Sequence, residues 1–441
     1  MDRTALYRTV WRWHFYAGLF VVPFILLLSL TGAIYLFKPQ IDRWEERDWR
    51  GLSSAHAVSA DAQVRAALAA VPGAAFNAYR IPENEGDAAI VKLTTPARDA
   101  LELVVSPQGK VLATVDPETR ITPTIARLHG SLMMGLPGGL LVELAASWAI
   151  IMILSGLYLW WPRGRGAAGV LWPRLGMGRR MFWRDLHAVT GFWVAGLALV
   201  LLFSGLPWTD GWATGFRWVR SEMGWNSGPQ TWKGGIDLHA AHDHNAMMAH
   251  HAMKAPTSSV TLSAIVEKAK AERIPFPAII QPPLAPARFG PPNGNVWKLT
   301  SESQNRPLIR TVQYDPNTGA EIGRSDFSDK HVIDRVINYA IAWHEGQLLG
   351  AINQLVGVLT AIALMTLAIS GIVMWWRRRP GGTLGAPPIP PENQIRVIVA
   401  LLICFSLFLP LLLLSLLLMA LIDRIAIRRL PQVARWLGNQ R

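Results

Sequence analysis

Four histidines are the residues of this sequence whose type and spacing could do chemistry together. His14 stands four positions before Gly18 and eighteen before Gly32, and His187 stands in the same relation to Gly191 and Gly205. His129 precedes Ser155 by 26 positions and Trp160 by 31, and His344 precedes Ser370 and Trp375 by the same two intervals. The runs around them repeat as well: "HFYAGLF…SLTG" against "HAVTGFW…LFSG", and "LHGSLMMG…LSGLYLWWPR" against "WHEGQLLG…ISGIVMWWRR". Unrelated apolar segments would rarely agree at so many non-apolar positions, so the chain reads as a tandem duplication. A single histidine near a membrane interface is usually an anchor or a packing residue. Four at matched positions favour paired ligation, because two imidazoles on facing helices at one level are what a six-coordinate haem iron takes as axial ligands. Glycines nearby suit a macrocycle pressed against backbone.

The elements that must position these histidines are helices in lipid. Of 441 residues, 51% are hydrophobic and only 17% charged, and the apolar residues collect in five blocks, 14–37, 138–161, 187–209, 350–376 and 395–422. Each approaches or exceeds the ~20 residues a helix needs to cross a bilayer. The first block follows Arg3, Arg8 and Arg12 as a signal peptide would, but it is too long and runs into Lys38-Pro39, so it reads as a retained anchor. The predicted organisation is a first transmembrane helix (1–37), an outer domain (38–137), a second helix (138–161), a basic loop (162–186), a third helix (187–209), a second outer domain (210–349), a fourth helix (350–376), a loop (377–394), a fifth hydrophobic helix (395–422) and a basic tail (423–441). Each outer segment reads as a small α+β module: a helical stretch (60–70; 262–273), then alternating strand-like runs such as "LELVVSPQGKVLATV" and "IRTVQYDPNTGAEIG".

Arginines before the first helix, in the 162–186 loop and at Arg377, Arg378 and Arg379 fall on one side if the N-terminus is cytoplasmic. The outer domains are then periplasmic, His14 and His187 share the cytoplasmic level, and His129 and His344 share the outer one. A fifth crossing would carry Arg424, Arg428, Arg429, Arg435 and Arg441 outside, against the same rule, and Pro410 in its middle predicts a kink. A wholly helical run from His129 to Trp160 would rise roughly 45 Å, which would set two cofactors far apart unless Gly130, Gly135 and Pro137 break it.

Several signals exclude or mislead. The net charge of +13 comes from arginines beside membrane segments and does not mark a nucleic-acid partner. The single cysteine, Cys404, lies inside the fifth block, so intrachain disulfides and cysteine-held metal clusters are excluded. Gly164, Gly166 and Gly169 match a dinucleotide fingerprint by letters alone, in a short loop after a membrane helix. With no nicotinamide or flavin domain, electrons would come from a separate cytoplasmic donor or from quinol. The pairs Trp160-Trp161 and Trp375-Trp376 read as interfacial belt residues. The second outer domain carries His239, His242, His244, His250 and His251 with Met247, Met248 and Met253. That cluster reads as a polar insertion, or alternatively as a periplasmic copper or zinc site.

With these residues in hand, the chain resembles the PepSY-associated transmembrane family, bacterial inner-membrane proteins that include iron-regulated ferrisiderophore reductases. The resemblance covers almost the whole chain through "WRWHFYAGLFVVPF", "LHGSLMMG", "DLHAVTGFW", "WHEGQLLG", the helix ends "WWPR" and "WWRR", and the "YDPNTGAEIG" hairpin, which looks like a PepSY module. It implies two b-type haems held by His14, His129, His187 and His344, in a four-helix bundle below two PepSY-like periplasmic domains. It also implies electrons passed outward to ferric iron in a siderophore or another metal complex. The alternatives are a membrane-anchored PepSY binding or inhibitory module without redox activity, and a copper or zinc handling protein.

Overall fold

The computed structural model describes residues 3–97, 99–161, 168–174, 176–225, 258–285, 293–388, 392–425 and 429–438. In the first unit α1 (Arg3–Tyr35) leads into the short α2 (Lys38–Glu45), then α3 (Ala60–Ala70) and strands β1 (Ala75–Arg80), β2 (Ala89–Thr94), β3 (Ala100–Val105) and β4 (Val111–Val115). The chain returns through α4 (Ile121–Ser131) to α5 (Leu136–Trp160). The second unit runs α6 (Gly178–Gly205), α7 (Asp210–Glu222), α8 (Leu262–Ala271), β5 (Ala278–Gln281), β6 (Trp297–Ser301), β7 (Thr311–Tyr314), β8 (Glu321–Ser325), α9 (Val332–His344) and α10 (Ala351–Arg378). Four helices among the described residues are long and apolar enough to cross a membrane: Thr4–Tyr35, Leu136–Trp160, Gly178–Trp208 and Ala351–Arg378. The protein is therefore a multi-pass helical membrane protein with an α+β region.

The two outer segments do not form the two separate domains predicted from the sequence. All eight strands join one antiparallel sheet in the order β4-β3-β2-β1-β5-β6-β7-β8, a palindrome that reflects the duplication. The physical reason is the open edge each four-stranded half would leave: β1 and β5 satisfy one another's backbone groups, pairing Tyr79 with Ile280 and Arg80 with Ile279. Asp61 at the start of α3 reinforces the seam by accepting the Leu262 and Ser263 N–H groups of α8, each at 3.0 Å, as a helix N-cap does. Alternating side chains of the sheet, including Val91, Leu103, Ile280 and Val312, pack beneath α3 and α8 against Ala67 and Ile265. The reverse face turns toward the bundle. There Arg80 of β1 grips Glu46 after α2 through two hydrogen bonds of 2.9 and 2.8 Å, and Arg120 before α4 adds a third at 2.9 Å.

In the bundle α1 packs against α5 and α10, and α6 packs against the same two. Thus α1 and α6 occupy one diagonal, α5 and α10 the other. One end carries the sheet and the other the connecting loops; we call these the sheet end and the loop end.

The predicted fifth helix is in fact two, α11 (Glu392–Ser406) and α12 (Pro410–Ile425), followed by α13 (Pro431–Trp436). Pro410 has no N–H to continue the ladder and disfavours helix at the residue before it, so the chain turns at 407–409. Phe408 in this turn meets Phe203 and Trp212, with ring centroids 6.0 and 5.7 Å apart, near the sheet end. Coming back, α12 packs on α5, where Trp148 donates to Ser415 Oγ at 3.1 Å. Tyr16 then donates to the Leu437 carbonyl, and Arg12 to that of Gly438 at 3.0 Å. The tail with Arg435 therefore lies at the same end as Arg12, which removes the charge conflict of a single fifth crossing.

Candidate functional site

Each of the four histidines sits in the same kind of socket. At the loop end, His14 of α1 places Nδ1 2.9 Å from Ser155 Oγ of α5, and His187 of α6 places Nδ1 3.0 Å from Ser370 Oγ of α10. At the sheet end the roles of the diagonals reverse. His129 of α4 reaches Thr31 Oγ1 of α1 at 3.0 Å, and His344 at the end of α9 reaches Ser204 Oγ of α6 at 2.9 Å. His187 and His344 also lie 3.1 and 3.0 Å from the carbonyls of Leu367 and Leu201. With Nδ1 engaged in every case, Nε2 is the nitrogen left for other chemistry.

A glycine follows each hydroxyl residue and lies under the ring. A Cβ on Gly32 would stand 3.1 Å from His129 Cε1, one on Gly156 3.2 Å from His14 Cε1, one on Gly205 3.3 Å from His344 Cε1, and one on Gly371 3.6 Å from His187 Cε1. These glycines make room for the imidazoles themselves. Gly18 and Gly191 instead face Met152 and Leu367 of the neighbouring helix, allowing close approach within each unit. Gly156→Ala is expected to destabilise the protein by about 1–3 kcal/mol through the crowded ring, and Gly371→Ala by less. Thermal unfolding in detergent would check the order, and equal effects would contradict it.

The structure brings His129 and His344 together with ring centroids 6.3 Å apart and planes inclined at 76°; Trp208 packs on His344 with centroids 5.6 Å apart. At the other level His14 and His187 lie on α1 and α6, the two helices of one diagonal. From His14 to Thr31 along α1, and from His187 to Ser204 along α6, is 17 positions, so the levels are about 25 Å apart. The wholly helical run from His129 does not occur: α4 ends at Ser131 and α5 starts at Leu136, with Leu132, Met133 and Gly135 at φ of 53, 59 and 63° between them. The break lies after Gly130 and before Pro137. In the second unit the matching break follows His344, with Gly346 and Gly350 at φ of 73 and 59°.

Beside the sheet-end pair, Glu345 is buried and Arg306 Nη2 stands 3.5 Å from its Oε1. Burial pushes this carboxyl above the usual range, opposed by the Arg306 charge. At the loop end one tryptophan of each pair holds the following loop: Trp160 donates to the Val170 carbonyl at 3.0 Å and Trp375 to that of Leu384 at 2.9 Å. Their neighbours Trp161 and Trp376 are exposed, as belt residues would be.

Sequence reasoning assigns no role to Thr31, Ser155, Ser204 or Ser370, although the recurring Thr-Gly and Ser-Gly pairs carried the signal. His239, His242, His244, His250, His251, Met247 and Met248 lie outside the described residues. Among the described residues no group of three or more His, Cys, Asp or Glu side chains is placed to hold a metal ion.

No curated protein matches the chain. The family model for the PepSY-associated TM region matches residues 11–378, a stretch that contains the sheet, both helix pairs and all four histidines and stops before the C-terminal hairpin. On that match the chain belongs to the PepSY-associated TM region family.

Proposed function

We propose that this protein conducts electrons across a bacterial cytoplasmic membrane, from a cytoplasmic donor or from quinol, to ferric iron held in a siderophore or another complex on the sheet side. In this reading one haem b is held by His14 and His187 and another by His129 and His344. The loop end, with Arg12, Arg377, Arg378, Arg379 and Arg435, is cytoplasmic by the positive-inside rule, and the sheet end is periplasmic.

The observation that carries the reading is the sheet-end pair. His129 and His344 stand with ring centroids 6.3 Å apart, each with Nδ1 engaged by a hydroxyl, so two Nε2 atoms are left that would hold one group between them. The residues present therefore fit a group held by two imidazoles, and the same socket chemistry recurs at the loop end. Bound haem, which the two histidines of a level would hold, would supply one-electron exchange, as electron transfer needs.

The chain's own part is to orient. Thr31, Ser155, Ser204 and Ser370 hold the rings by Nδ1, and the duplication gives each end one histidine from each unit. Each ferric ion takes up one electron, so a quinol, losing two electrons and two protons, serves two ferric ions.

An absorption spectrum of the purified protein tests the proposal. A Soret band with b-type α and β bands on reduction, and two haems per chain, is the expected result. A colourless protein that takes up no haem on reconstitution would sink it.

A further inference from the structure

Resting on the reading of the histidines as haem ligands, we propose that Thr31, Ser155, Ser204 and Ser370 are positioning residues that fix the tautomer and donor strength of the four imidazoles, and so set the reduction potential of each level.

The argument starts from where the hydroxyl protons go. Each hydroxyl donates back to its own helix: Thr31 to Leu27 O at 2.8 Å, Ser155 to Met152 O at 3.0 Å, Ser204 to Leu201 O at 2.9 Å and Ser370 to Leu367 O at 3.0 Å. A hydroxyl has one proton and two lone pairs, so with the proton committed to a carbonyl the oxygen faces Nδ1 as an acceptor. The proton between them must then belong to Nδ1, and the ring's free lone pair is on Nε2.

A neutral oxygen partner polarises the Nδ1–H bond without removing the proton. The ligand is thereby a stronger donor than a bare imidazole and weaker than an imidazolate. A serine or threonine on a membrane helix satisfies itself on its own carbonyl and needs no histidine. Yet the same contact recurs four times, on alternate diagonals, each time with a glycine that lets the ring seat. One accidental packing contact would not recur with its partner helices exchanged.

The test is a potentiometric titration, followed optically, of Thr31→Ala, Ser155→Ala, Ser204→Ala and Ser370→Ala in the full-length protein. Each variant is expected to keep both haems. Losing the hydroxyl acceptor weakens the imidazole as a donor, so reduction becomes easier, by two- to tenfold in the equilibrium constant for Thr31→Ala and Ser155→Ala, a tenfold change being about 59 mV, and by less for Ser204→Ala and Ser370→Ala, where the Leu201 and Leu367 carbonyls still accept from Nδ1. Thr31→Ala and Ser204→Ala should move one haem only, and Ser155→Ala and Ser370→Ala only the other. Thr31→Ser and Ser155→Thr, which keep the oxygen, should titrate as wild type. Should one alanine variant fail to fold, Ser370→Cys reads the same quantity, with a weak sulfur acceptor in place of oxygen. Unmoved potentials in two-haem alanine variants, or a shift shared equally by both haems, would overturn this inference alone. A wild-type chain without haem would overturn the haem reading on which it rests.

Discussion

His344→Ala is expected to remove about half of the bound haem and leave the rest spectrally unchanged. His344 is one of two rings at the sheet end, 6.3 Å from His129, and its Nδ1 is fixed by Ser204 and Leu201 on α6. Alanine leaves His129 alone at that level. His14 and His187 cannot take its place, because they sit about 25 Å away along the helices. His14→Ala is the mirror experiment and should remove the other half, and His14→Ala/His344→Ala should remove all of it. Haem content per chain and the number of steps in a redox titration give the answer. Full haem retention in His344→Ala refutes the sheet-end pairing, and complete loss in either single variant refutes two independent levels.

Glu46→Ala is expected to destabilise the protein by about 2 kcal/mol or more, the cost of leaving the half-buried Arg80 without its carboxylate, while Arg120 keeps Glu45 and Glu102 beside it. The Glu46 side chain is only 4% exposed and accepts from both Arg80 and Arg120. It thereby ties the extension of α1 to β1 and to the turn that starts α4, the helix carrying His129. Limited proteolysis of the sheet and thermal unfolding in detergent both read this coupling; a melting curve superimposable on wild type would refute it.

The same group sets a pH dependence. Burial alone would raise the Glu46 carboxyl, but the hydrogen bonds and charges of Arg80 and Arg120 outweigh it and hold the carboxyl below its ordinary 4.5. A carboxyl depressed in the folded state stabilises fully above its unfolded value and loses that contribution as the pH falls through the folded one. The stability gap between wild type and Glu46→Gln should therefore be full at neutral pH and close only in acid below 4.5. A gap that widens in acid would show the opposite linkage.

Much of this molecule was legible as a string. Uninterrupted apolar runs can satisfy their backbones in lipid only as helices, so the four spans follow from composition. The equal intervals from His129 to Ser155 and from His344 to Ser370 show the duplication, because register along a helix is register in space. Pro410 marked a break.

Other features depend on contacts between segments distant in sequence. Alternation marks strand-like runs such as 101–115 and 309–323, but not that β1 and β5 would close one sheet, since edge pairing depends on where the bundle holds the two halves. The return of the tail to Arg12 needs the packing of α12 on α5. His14 meets Ser155, 141 positions away, and His129 meets Thr31, 98 positions back. Sequence alone therefore determined four matched histidines on a duplicated membrane scaffold. Only the tertiary structure decided that His129 meets His344 and that each of the four is held by a hydroxyl of another helix and seated on a glycine, because helix packing, not local spacing, chooses which faces meet.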